Sequence, residues 1–292
     1  SLRLSAETGI LALDTAVSNL AAETDTTGNL EVFNTGALDI TTVDGVVGAQ
    51  IVDAGTNDGG GDIVITASSP LTITDDVVNN DGGDITLAAD GNAAGDDMAI
   101  NANITATGGD GNINLFAGDA INLNGTNVVS AAGAGNITAI AGEDFVSGGA
   151  NNNGTATGIL TMGDGSSIET EDGNIVVRAT GSVDLSLLNA DSDGDGNASG
   201  TGDVTVEADF AGIDGGLSTA DTGDIQDILS GEGANIIGDT INLIGPDGIG
   251  SGEDINVTVI TELNTDSSGN NGNIELESTG SMPIGVINAG SG

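Results

Sequence analysis

Three aspartates at alternate positions, Asp191, Asp193 and Asp195, precede Gly196 and Asn197 in the run Asp-Ser-Asp-Gly-Asp-Gly-Asn. Oxygens at the first, third and fifth positions of a loop with glycine at the sixth can converge on a hard cation. The expectation is a Ca²⁺ loop built from Asp191, Asp193, Asp195 and the Asn197 carbonyl. Position twelve is Gly202 rather than a bidentate glutamate, and no helical periodicity flanks the run, so it is not an EF-hand. The alternative is a flexible acidic bulge between structural repeats. Weaker acidic clusters lie at 79–84, at Asp90 with Asp96 and Asp97, and from Asp53 to Asp62.

Little else in the chain could do covalent chemistry. Histidine, cysteine, lysine, tryptophan and tyrosine are all absent. That removes most nucleophile and transition-metal schemes and the stacking aromatics common in sugar clefts. Carboxylate pairs for glycoside hydrolysis are available anywhere in so acidic a chain, so they single out no site. Of the two basic residues, Arg3 and Arg178, only the second lies well inside the sequence. Alternation in Val176-Val177-Arg178-Ala179 points Arg178 outward, where Glu169 or Glu171 could pair with it. A non-enzymatic protein is the expectation.

The elements that carry these residues repeat. A cassette of glycine, then Asn or Asp, then alternating aliphatics recurs at Gly28, Gly61, Gly83, Gly111, Gly135, Gly173, Gly202, Gly223 and Gly272. Each copy reads as a tight turn feeding a strand with one apolar and one polar face. A second short strand often follows, as in Leu38-Asp39-Ile40, Leu71-Thr72-Ile73, Ile121-Asn122-Leu123 and Val183-Asp184-Leu185. Two strands, a corner and a variable polar loop would make one coil of a solenoid, whose units bury their apolar faces by stacking. The predicted fold is all-β, a right-handed parallel β-helix with irregular loop insertions and roughly eleven coils at ~4.8 Å each. Glycine is expected at corners for its access to positive φ. The inward column should hold Ile63, Ile65, Ile85, Leu87, Ile113, Leu115, Ile175, Val177, Val204 and Val206.

A longer repeat is visible too. The segment from Gly28 to Ile40 matches that from Gly272 to Ile284, 244 residues on, and 13–20 roughly parallels 255–263. The domain reading is a solenoid unit over 1–254 and the start of a homologous unit over 255–292, continuous with it.

Composition bounds the partners. The chain has 45 acidic residues against two basic ones, a formal charge of −43, 37% hydrophobic residues and 1% aromatic ones. A thin aliphatic column is affordable on that inventory, whereas a compact globule of 292 residues would bury more large side chains. Such charge repels nucleic acid and anionic lipid, and no apolar run reaches the ~18 residues of a membrane span. Neither nucleic-acid binding nor membrane insertion of this segment is expected.

The pattern Gly111-Asn112-Ile113-Asn114-Leu115-Phe116-Ala117, repeated near Gly173, resembles filamentous-haemagglutinin-type repeats of giant tandem-repeat bacterial surface proteins and adhesins. The stretch Gly248-Ile249-Gly250-Ser251 leading into Ile255-Asn256-Val257 resembles them as well. The resemblance implies a right-handed β-helical shaft, export from the cell, and an adhesive or structural role. The resulting expectation is an extracellular shaft or fibre segment that self-associates end to end or laterally. The competing expectation is a calcium-dependent adhesin module gripping surface carbohydrate or a partner through its acidic loops.

Overall fold

The computed structural model describes residues 1–26, 28–52, 60–91, 93–142, 145–146, 149–150, 158–194, 201–211, 223–231, 233–250, 252–269, 272–278 and 280–290. Among them there is no helix, and 29 strands join one parallel-paired sheet wound into a β-solenoid. Only Phe145–Val146 and Gly149–Ala150 form a separate antiparallel pair.

Each complete coil has three faces, not the two strands and a loop that the alternation predicted. The first face stacks Ile10–Thr15, Leu30–Asn34, Ile63–Ala67, Ile85–Ala89, Ile113–Ala117, Ile137–Ala141, Ile175–Ala179 and Val204–Glu207. It continues through 241–244 and 263–267 to the last strand, Ile284–Ala289. The second face carries the shorter strands that the sequence marks, among them Leu38–Ile40, Leu71–Ile73, Met98–Ile100 and Ile121–Leu123. The third face, from Ala49–Ile51 through Val77–Asn79 and Ile104–Ala106 to Val128–Ala131, consists of strands of three or four residues. Those strands turn inward only one or two apolar side chains per coil, too few to stand out from the polar loops around them.

The ten inward residues expected from alternation are all buried, in one core that runs the length of the coil stack. In-register stacking places like on like: Ile63 on Ile85 on Ile113, and Ile65 on Leu87 on Leu115. A slip of one residue would turn the whole column to water, so burial and register enforce each other.

Gly28 takes the positive φ expected of a corner glycine, at 135°, but later glycines of the cassette have a different cause. Of Gly61, Gly83, Gly111, Gly135, Gly173 and Gly202, none adopts a positive φ. Each instead lies flat against the glycine one coil earlier, where a Cβ would run into that residue's carbonyl oxygen. Close backbone approach therefore selects glycine at these corners. The cassette also feeds two faces. Seven copies enter the first face, whereas Gly223-Asp224-Ile225 and Gly272-Asn273-Ile274 lead into the second. The segments matched at a spacing of 244 residues thus sit on different faces.

Arg178 points outward from the first face, as alternation requires, but its partner is neither Glu169 nor Glu171. Its Nε lies 3.0 Å from Glu207 Oε2 on the next coil, and its guanidinium lies 4.9 Å from the Phe210 ring. Phe210 folds back over the outside of this face and closes a small apolar cluster with Ala88, Phe116 and Ile140. Two of the four phenylalanines, Phe116 and Phe210, thus sit in a patch outside the column.

Candidate functional site

The strands position their corners, and among the described residues the corners carry a repeated polar ladder. At the corner entering the first face, the side chain after each cassette glycine accepts a hydrogen bond from the backbone N–H one coil on. Asn29 Oδ1 accepts from Asp62, Asp62 from Asp84, Asp84 from Asn112 and Asn112 from Asn136. Asn136 then accepts from Asn174, Asn174 from Asp203 and Asp203 from Thr240, every link lying between 2.8 and 3.0 Å. The sequence separations along this ladder range from 22 to 38 residues, yet the geometry does not change. A corner N–H turned away from the strand ladder needs an acceptor, and a short side-chain oxygen on the preceding coil supplies one. This is why Asn and Asp interchange in the cassette: both offer the Oδ1 that accepts from the next coil, and at Asn112 and Asn136 the amide adds a donation to the preceding coil.

Members of the weaker acidic clusters also accept backbone N–H groups, while Asp53 and Asp58 lie outside the described residues. Asp81 Oδ2 accepts from Gly61 N at 2.8 Å, Asp96 Oδ2 from Ala93 N at 2.8 Å and Asp97 Oδ1 from Ala120 N at 3.1 Å. Sequence reasoning missed this role. Its available signal was the strict Asn-or-Asp choice immediately after glycine, which period-two alternation leaves unexplained.

Of the expected calcium loop, Asp191 and Asp193 lie in the corner after Leu187–Asn189, and Asp195 and Asn197 lie outside the described residues. Asp191 is half-buried and its N–H donates to Asn189 Oδ1 at 3.1 Å; its carbonyl accepts from Gly194 N at 3.0 Å. Gly194 takes a φ of 74°, which closes the turn. Asp193 is exposed. Among the described residues no three acidic side chains come close enough together to hold a metal ion.

A polar concavity lies between the second and third faces near the C-terminal end. Asp227, Glu253, Asp254 and Glu277 line it, together with Ser230 and Asn256. Asn256 belongs to a reciprocal pair with Asn235. Asn235 donates its N–H to the Asn256 carbonyl at 2.8 Å, and Asn235 Oδ1 accepts from Asn256 N at 2.8 Å. The Asn235 amide nitrogen also reaches Asp227 Oδ1 at 2.6 Å and the Ser186 carbonyl at 3.1 Å. Elsewhere, burial pushes the Asp184 carboxyl above the usual range, against a hydrogen bond from Thr161 and with a contribution from Asp224 nearby. Hydrogen bonds from Ser230 hold exposed Asp164 below it, and those from Ser268 do the same for Asp266.

Compared with protein-family models, curated proteins and solved structures, the chain matches none of them.

The ladder is directly testable. Asn112→Ala removes the acceptor for Asn136 N and the amide that donates to Asp84 Oδ1. The expected loss is about 1–3 kcal/mol, the cost of an orphaned donor, read from the urea midpoint. Asn114→Ala, on the outward face of the strand that follows, should change stability by about 0.5 kcal/mol or less. Equal losses for the two variants would refute the ladder as a source of stability.

Proposed function

We propose that this chain is a non-enzymatic structural shaft, a segment of a long repetitive protein displayed outside the cell. The observation that carries the reading is continuity. One apolar column and one side-chain ladder run unbroken from coil to coil, while insertions of unequal length are confined to the corners. A fold that keeps its axis regular while its corners vary is suited to setting a distance. The resemblance to filamentous-haemagglutinin-type repeats and the strong acidity point the same way, towards an aqueous, salt-containing exterior.

Small-angle scattering on the 292-residue chain tests the shaft. A rod about 50 Å along the axis is expected from eleven strands on the first face at ~4.8 Å. A compact sphere of the same mass would sink the proposal.

Calcium separates the shaft from the adhesin. Corner carboxylates such as Asp62, Asp84 and Asp203 already accept backbone N–H groups, so the fold needs no cation to seat them. Replacing EDTA with millimolar Ca²⁺ should move the melting temperature by less than about 2 °C, a fraction of a kcal/mol at this size. A rise of about 10 °C or more would instead make Asp191, Asp193 and their neighbours structural ligands and favour the calcium-dependent adhesin.

A further inference from the structure

The corner between Ile121–Leu123 on the second face and Val128–Ala131 on the third is the turn Asn124-Gly125-Thr126-Asn127. Asn124, Gly125 and Thr126 are exposed, and Gly125 takes a φ of 66°. The nitrogen that follows an asparagine can close a ring on the side-chain amide carbon, and glycine leaves that approach open because it has no Cβ. Whether this happens in a folded chain depends on the state of that nitrogen. After Asn29, Asn112, Asn136 and Asn174 it belongs to a strand residue whose N–H donates to a carbonyl of the next coil at 2.8 or 2.9 Å. A nitrogen held in that way keeps its proton and its orientation. Among the described residues nothing accepts a hydrogen bond from the Gly125 N–H.

Asn127 adds a second component. Its Nδ2 donates to the Asn124 carbonyl oxygen at 2.6 Å. That oxygen and the Gly125 nitrogen belong to one peptide group, so negative charge left on the nitrogen by loss of its proton spreads onto the oxygen. A donor already aimed at the oxygen stabilises the nucleophilic anion, as an oxyanion hole does.

We propose that Asn124 is a site of spontaneous self-modification, in which the Gly125 nitrogen attacks the Asn124 side-chain amide and Asn127 is the stabilising donor. Solvent base takes the Gly125 N–H proton. The nitrogen bonds to Asn124 Cγ, the Cγ–Nδ2 bond breaks, and ammonia leaves with a proton from water. Water then adds to either carbonyl of the succinimide ring and opens it to aspartate or isoaspartate, with no change of oxidation state. Both products lose the Asn124 Nδ2 that donates to Asn101 Oδ1 at 3.0 Å one coil back. Isoaspartate also routes the backbone through the former side chain and lengthens the turn. The next coil leaves no room for that: a Cβ on Gly163 would lie 2.7 Å from the Gly125 carbonyl oxygen and 2.8 Å from its nitrogen. Conversion therefore strains the join between these two coils as the protein ages.

The test is to incubate the 292-residue chain at mildly alkaline pH, folded and in urea, and to follow aspartate and isoaspartate at each asparagine by mass spectrometry of peptic fragments. In the folded chain Asn124 is expected to convert ahead of Asn112, Asn136 and Asn174. Asn127→Ala should slow that conversion about fivefold, the value of one hydrogen bond. Asn127→Asp, whose carboxylate repels the anion, should slow it at least as much. In urea, where the turn is lost, neither variant should differ from the parent chain. If Asn127 merely held the turn in shape, its removal would free Gly125 and speed the reaction instead. Asn124 intact in the folded chain while converting in urea, or conversion in both folded variants at the parent rate or faster, would overturn the proposal.

Discussion

Gly111→Ala lowers stability by about 3 kcal/mol and shifts the urea midpoint accordingly, although it adds a single methyl group. The new Cβ would enter the space of the Gly83 carbonyl oxygen, a backbone atom held by its own coil. Neither side can yield alone. Moving coil 111–117 away stretches its pairing with Ile85–Ala89, and moving Gly83 disturbs the contact it makes with Gly61. Propensity alone would predict the opposite sign, since replacing glycine by alanine usually restricts the unfolded chain and stabilises by ~0.4–1 kcal/mol. Gly280→Ala is the matched control, because nothing lies within 4 Å of the Cβ it would add. If the two variants melt alike, close glycine stacking is not what sets the corner.

Leu87→Ala is expected to cost about 2–5 kcal/mol, through lost burial and the cavity it leaves. Leu87 is fully buried and sits between Ile65 and Leu115 in one column. What distinguishes a solenoid is where the loss appears, because each coil touches only its neighbours. Hydrogen exchange should quicken in Ile63–Ala67, Ile85–Ala89 and Ile113–Ala117, while Val204–Glu207, several coils away, keeps its protection. Uniform loss of protection along the chain would show that the stack unfolds as one unit.

How much of this was legible in the sequence depended on whether a residue's role is set by its neighbours in sequence or by its neighbours in space. Ile113 and Leu115 declare themselves, because alternation over five residues is a local signal of burial on one face. Ala49–Ile51 and Val77–Asn79 were absorbed into loops, since three residues hold too little pattern to separate a strand from a turn. Positive φ was the right reason for Gly28 but not for the cassette glycines from Gly61 to Gly202. Positive φ is a property of one residue, whereas the contact between Gly111 and Gly83 joins positions 28 apart. Arg178 was placed on the correct side of its strand, but its partner Glu207 follows from coil register, which the irregular insertions conceal. The acidic corners drew attention as possible ligands for a cation. For Asp62 and Asp84 the structure shows backbone N–H groups in that position, supplied by the next coil.

The separation of charge from strands gives this rod an electrical character of its own. Strand faces turn mostly Thr, Asn, Val and Ala outward, as in Thr86, Asn114 and Thr138, while aspartates such as Asp62, Asp84, Asp97 and Asp110 occupy the corners. With a net charge of −43 along an axis of about 50 Å, one charge falls roughly every 1.2 Å, a closer spacing than the ~1.7 Å of duplex DNA. A line of charge that dense condenses counterions from the surrounding solution. The protein should therefore migrate and diffuse as a polyelectrolyte clothed in mobile cations, with an effective charge well below its formal one.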